Sequence, residues 1–165
     1  MTLKRGNTEA GLALFGPALD DLRGVRFAVY HTSFRAEFAE GLGRAGRVPE
    51  GIVAITEALA RSEQTGERWC LPELLRIRGE LALLEATSRS SEDAEAYFVR
   101  ALASARQQQV LSWELRAATS LARLWRGQQR VTQARKLLGP VYRRFTEGFE
   151  TADLIAAKAL LDSVR

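Results

Sequence analysis

The stretch Ser91–Arg126, SEDAEAYFVRALASARQQQVLSWELRAATSLARLWR, decides the fold. It reads as two amphipathic helices with a short break. The first opens at Ser90-Ser91-Glu92-Asp93, where a serine hydroxyl can accept a bond from a free backbone N–H and acids favour the positive end of the helix dipole. Ala94, Phe98, Ala101, Leu102 and Ala105 then recur at spacings that share one face. The pattern fades in Gln107-Gln108-Gln109. Ser112 is the expected N-cap of the second helix, whose stripe is Leu115, Ala118, Leu121, Ala122 and Trp125, with Gly127 as its stop.

The same unit recurs on both sides. Residues 8–23 predict a helix interrupted at Gly16-Pro17, where proline suits a new first turn, with Gly24 ending it. Arg26 to about Ala45 carries the stripe Phe27, Tyr30, Phe34, Phe38 and Leu42, stopped by Gly46. Pro49 opens a helix to about Gln64, broken by Thr65-Gly66. Another runs from Trp69 or Pro72 to Leu84. Thr132–Phe145 should kink at Gly139-Pro140. Gly148 separates it from Thr151–Val164, where Thr151 is placed as N-cap. Residues 1–165 thus read as one helical-repeat domain. It comprises a partial repeat at 1–24, hairpins at 26–64, 69–109 and 112–146, and a capping helix at 151–165.

Overlaying the hairpins aligns small residues. Ala39, Gly79 and Ser120 fall midway through successive first helices, 40 and 41 residues apart. In the second helices Gly51/Ile55/Ala58, Ala94/Phe98/Ala101 and Ala134/Leu138/Val141 superpose. Small residues let neighbours approach, and larger ones a turn later fill the gap. The expectation is an all-α solenoid of about eight helices in antiparallel hairpins, stacked as a right-handed superhelix.

Composition agrees. The chain has 165 residues, 46% hydrophobic and 27% charged, and helix formers dominate. The net charge is +4 and the pI about 9.7. The excess is arginine, lysine occurring only at Lys4, Lys136 and Lys158. These arginines are scattered among acids, which favours a solvated helical surface over a nucleic-acid one. Cys70 and His31 each stand alone, so neither an internal disulfide nor an ordinary Cys/His zinc site can be built. No apolar run approaches a membrane span. Lys4-Arg5 before Gly11–Leu19 has a faint leader pattern, but Glu9 and Gly16-Pro17 interrupt it, and the expected setting is cytoplasmic.

Catalytic patterns are missing. Gly11 and Gly16 have the glycine spacing of a phosphate loop, but Pro17 stands where lysine must be. There is no G-x-S-x-G, and His31 has no nucleophile near it in sequence. Trp69 and Trp113 begin first helices, where an aromatic can clamp one hairpin on the previous one; anchoring a peptide is the alternative.

Several stretches carry a family likeness: Gly46-Arg47 with Pro49-Glu50-Gly51, Thr65-Gly66-Glu67-Arg68-Trp69, Glu73-Leu74 with Arg78-Gly79-Glu80-Leu81, Ser112-Trp113-Glu114-Leu115-Arg116-Ala117-Ala118, Pro140-Val141-Tyr142, Phe145-Thr146-Glu147-Gly148-Phe149 and Thr151-Ala152-Asp153-Leu154. They resemble tetratricopeptide repeats, with a period longer than the standard of about 34 residues. More closely, they resemble the carboxy-terminal repeat region of bacterial signalling proteins that join a cyclase-like or DNA-binding domain to an ATPase. Neither the cyclase-like nor the ATPase portion is in this sequence. The resemblance implies that first helices line a concave surface, placing Glu40, Arg44, Glu73, Arg76 and Glu80 near it. Mixed charge there would suit a charged peptide or a neighbouring domain; salt bridges between adjacent hairpins are the competing explanation.

The expected function is a non-catalytic interaction scaffold with no cofactor. Its partner would be a protein, a peptide, or an ATPase or cyclase-like domain. The alternative is an arginine-rich helical protein binding nucleic acid. Leu12, Leu14, Phe15, Leu19 and Leu22 are also expected to leave an apolar patch through which a second copy pairs.

Overall fold

The computed structural model describes residues 8–21 and 30–164, which contain eight α-helices and no strand. They are α1 (Thr8–Asp21), α2 (His31–Arg44), α3 (Val48–Thr65), α4 (Leu71–Leu84), α5 (Ser90–Gln107), α6 (Leu111–Gly127), α7 (Val131–Tyr142) and α8 (Ala152–Ser163). The expected start of the second helix at Arg26, Phe27 in its stripe, and the Leu22 and Gly24 positions lie outside the described residues, as do Lys4, Arg5 and Arg165.

Each helix packs on the next in sequence. In addition α2 packs on α4, α4 on α6, and α6 on α8. The even-numbered helices therefore stand side by side, with odd-numbered helices behind them.

α4 is the shared wall of two apolar clusters. Leu74, Ile77 and Leu81 join Leu12, Ala39, Leu42, Ile55 and Ala58 on one side. Leu75 and Ala82 join Phe98, Leu115, Leu121, Leu138 and Leu154 on the other. The superposed triplets are all inside: Gly51, Ile55 and Ala58 in α3, Ala94, Phe98 and Ala101 in α5, and Ala134, Leu138 and Val141 in α7. Ala39, Gly79 and Ser120 are buried at the matching places in α2, α4 and α6.

Helix ends differ from the sequence expectation. Gly46 and Gly66 do end helices, with φ of 78° and 71°. α6 also ends at Gly127, but there the left-handed residue is Gln129, at φ 63°. That lets Arg130 N–H donate to the Trp125 carbonyl at 2.8 Å. Gln109 closes α5 in the same way, with Val110 N–H on the Ala105 carbonyl. A left-handed non-glycine residue costs roughly 1–2 kcal/mol. Gln129→Gly, whose extra unfolded-state entropy offsets part of that, should therefore raise stability by about 0.5–1 kcal/mol in urea unfolding.

The serine caps are also corrected. Arg89 and Val110 hold the N-cap positions, and neither Ser91 nor Ser112 caps a helix. Ser90 Oγ instead accepts from Thr87 N–H at 2.8 Å. Thr151 does occupy an N-cap, but its hydroxyl donates to the Gly148 carbonyl rather than accepting from the helix. α1 is continuous through Gly16-Pro17. α7 ends at Tyr142, two residues after Pro140 and short of Phe145.

Candidate functional site

Arg76 is where the even-numbered helices meet electrostatically. Proline at the start of α4 and the run of buried residues Pro72 to Ile77 carry it inward, leaving its side chain 7% exposed. Its guanidinium forks onto Glu73 one turn back, with Nε and Nη2 donating at 2.9 Å. Nη2 also reaches Glu40 Oε1 on α2 at 2.7 Å, and Nη1 lies 3.4 Å from Glu80 Oε1 one turn on. A planar donor with a fixed fork satisfies several carboxylates at once, which lysine could not do.

The network continues onto α6. Arg116 Nη2 is 2.8 Å from Glu73, and Arg123 Nη1 is 3.6 Å from Glu80. Ser120 Oγ donates to Glu80 Oε1 at 2.6 Å. On α2, Arg44 pairs with Glu40 at 3.0 Å. Asp153 of α8 lies 4.0 Å from Arg116.

Burial alone would raise the Glu40 pKa. The charge and hydrogen bond of Arg76, with Arg44 and Arg116, outweigh that and hold it below the usual carboxylate range. Arg76 itself is pushed up, because Glu73 and Glu40 more than offset its burial.

Four of the five expected residues, Glu40, Arg44, Arg76 and Glu80, line a groove of about 640 Å³ across α2, α4, α6 and α8. Glu73 lies beneath it, holding Arg76 and Arg116. Glu40 and Glu80 sit deeper, while Arg44, Arg123 and Asp153 stand at the rim, 51%, 53% and 52% exposed. Leu81, Leu84 and Thr119 supply apolar surface between them. The salt bridges between adjacent hairpins are thus present, and the same residues line or underlie the groove. Arg116, Ser120, Arg123 and Asp153 were not singled out from sequence as site residues. Adding the repeat offset of about 40 residues to Arg76 reaches Arg116, and adding it to Glu80 reaches Ser120.

An aromatic row marks one edge. Tyr30 before α2 meets Trp69 before α4 at 5.8 Å, and Trp69 meets Trp113 of α6 at 6.0 Å. Each ring bridges one even-numbered helix to the next. Trp125 is separate. Its Nε1–H donates to Glu95 at 2.8 Å and its face carries the Arg130 guanidinium. Against the effect of burial, the Arg130 and Trp125 bonds lower the Glu95 pKa.

His31 is buried at the first turn of α2. Among the described residues no three His, Cys, Asp or Glu side chains are grouped to hold a metal ion. No described helix is long and apolar enough to cross a membrane.

Cys70 is buried, and that burial pushes its thiol up to about 11, Glu67 and Glu73 adding to the effect. The thiolate is the reactive form. Iodoacetamide at pH 8 should therefore modify native protein many times more slowly than urea-unfolded protein. Equal rates would mean that the start of α4 is open.

No family model matches the chain, and no curated protein matches it. Among solved structures it is similar to the crystal structure of BtubC (BKLC) from P. vanneervenii. The likeness has a TM-score of 0.68 and 19% sequence identity, and it covers 99% of this chain and 74% of that one. At that identity it shows a shared helical fold and nothing finer.

Proposed function

We propose that the chain is a non-catalytic interaction scaffold whose even-numbered helices present a groove to a peptide or domain segment bearing acidic side chains. One observation carries the reading. Arg76 is the main partner of the buried carboxylates, and Arg44 and Arg123, each with a glutamate on one side, stay half exposed at the rim of a partly apolar groove. Such a surface can add a hydrogen-bonded carboxylate on each side without burying an unpaired charge. The resemblance to the repeat region of bacterial signalling ATPases supports a partner of the same kind, namely a segment of an adjoining ATPase or cyclase-like domain in the cytoplasm. The surface arginines favour a protein partner over nucleic acid. They are interleaved with acids, as in Arg35 with Glu57, Arg47 with Glu50, and Arg106 and Arg144 with Glu114.

Selection of random-sequence peptides against the immobilised chain tests this. Selected peptides should be enriched in Asp and Glu, and should lose at least tenfold in affinity on Arg44→Glu, Arg123→Glu. The chain alone should neither bind nor hydrolyse ATP. Peptides indifferent to both substitutions, or micromolar nucleotide binding abolished by one substitution, would overturn the scaffold reading.

A further inference from the structure

The helices pair in a regular way. α3 folds back on α2, α5 on α4, and α7 on α6. Among the described residues α8 has no such partner; it rests on α6 and α7. Where that partner would lie, a groove of about 760 Å³ runs between α7 and α8. Val131, Gly139, Pro140 and Leu161 give it an apolar lining. Its rim is basic: Arg135, Lys136 and Arg143 are all exposed, while Lys158 is engaged by Asp162 at 2.6 Å.

α1 is the complementary element. It packs on α2 through one face, with Leu12 and Leu19 buried and Phe15 meeting Phe34 and Phe38 edge to face. Its other face carries Ala13, Leu14, Pro17 and Ala18, all exposed, Leu14 at 70%. These are small apolar residues around one larger anchor, which suits close approach to a groove. The charged residues of α1 are Glu9, Asp20 and Asp21, all acidic. Its 14 residues make a rod of about 21 Å, comparable with the roughly 18 Å of the 12-residue helices α7 and α8.

We propose that the α7/α8 groove receives α1 of a second copy of this chain, joining copies head to tail. Leu14 enters the apolar lining, and Glu9 and Asp21 face Arg135, Lys136 and Arg143. α1 then stands to α8 as α7 stands to α6, and the helix stack continues from one copy into the next. The contact is heterologous, since the two surfaces differ. It therefore extends into rings or filaments rather than closing as a two-fold dimer.

Sedimentation velocity on the full chain tests it with a charge swap. The wild type, 18.3 kDa as a single chain, should grow beyond dimer with concentration and shrink again at high salt. A groove-reversed variant, Arg135→Glu, Arg143→Glu, should be monomeric. So should a helix-reversed variant, Glu9→Lys, Asp21→Lys. Mixed in equal amounts, the two should again grow beyond dimer, alternating along the assembly, because each copy's α1 then meets a groove of opposite charge. Leu14→Asp should lose association at least tenfold while melting with the wild type. A wild type monomeric at high micromolar concentration overturns the proposal. So does a mixture that stays monomeric, or a groove-reversed variant that still dimerises, which would mean a symmetric contact between α1 helices.

Discussion

Arg76→Met should be among the most destabilising single substitutions in this chain, costing about 3–5 kcal/mol in urea unfolding at pH 7. Methionine fills much of the space of the arginine stem but leaves Glu73 and Glu40, both largely buried, short of their shared cation. Arg116 stays on Glu73 and Arg44 on Glu40, so the cost is the incomplete compensation of buried carboxylates, more than the loss of the bonds themselves. A pH dependence follows. In the wild type Glu40 titrates below its ordinary range. Its contribution is therefore present above the unfolded pKa, near 4.3, and is lost as pH falls through the folded value. Without Arg76 burial is opposed only by Arg44 and Arg116, and the Glu40 pKa rises from its wild-type position. The variant then loses less stability than the wild type as acid protonates the site. The gap between the two proteins should accordingly narrow from pH 7 toward pH 4. A gap that stays constant would place the cost in packing instead.

Gly79 should tolerate no side chain. A Cβ there would lie 2.6 Å and 2.8 Å from two ring carbons of Phe98. Phe98 is fully buried at the centre of α5, so its ring has no free direction to move. Alanine for glycine inside a helix ordinarily gains up to about 1 kcal/mol. Here the overlap should outweigh that gain, with a net cost of about 1–3 kcal/mol for Gly79→Ala and more for Gly79→Leu. Phe98→Leu should recover part of the loss when combined with Gly79→Ala, although it destabilises by itself, because the shorter side chain vacates the contested volume. If Gly79→Ala melts with the wild type, the close contact between α4 and α5 is absent.

These two residues show how unevenly the sequence could be read. Gly79 was legible because it falls between Ala39 and Ser120 at a spacing near 40, and because Phe98 sits in the superposed triplet of the facing helix. Helix number was legible for a related reason: Gly46, Gly66 and Gly148 interrupt strong periodic stripes, and each has a positive φ. Helix ends were harder. Gln109 and Gln129 do the work expected of glycine, and the serine and threonine hydroxyls that look like caps bond elsewhere. Helical periodicity carries α1 past Pro17, where local propensity suggests a break. The charged groove was half legible. Helix-face spacing reaches Glu40, Arg44, Glu73, Arg76 and Glu80, but which guanidinium serves which carboxylate depends on how α2, α4 and α6 stand in space. Arg123 and Asp153 belong to the groove only through that packing, since neither occupies a repeat position held by a charge of the same sign one period earlier.

The most direct test is a double-mutant cycle between Glu73 on α4 and Arg116 on α6, with Glu73→Gln, Arg116→Met and the pair measured by urea unfolding. Side-by-side even-numbered helices put these groups 2.8 Å apart although they are distant in sequence. The expected coupling is about 1–3 kcal/mol. Effects that add to within about 0.5 kcal/mol would mean that α4 and α6 do not share the face on which the groove depends.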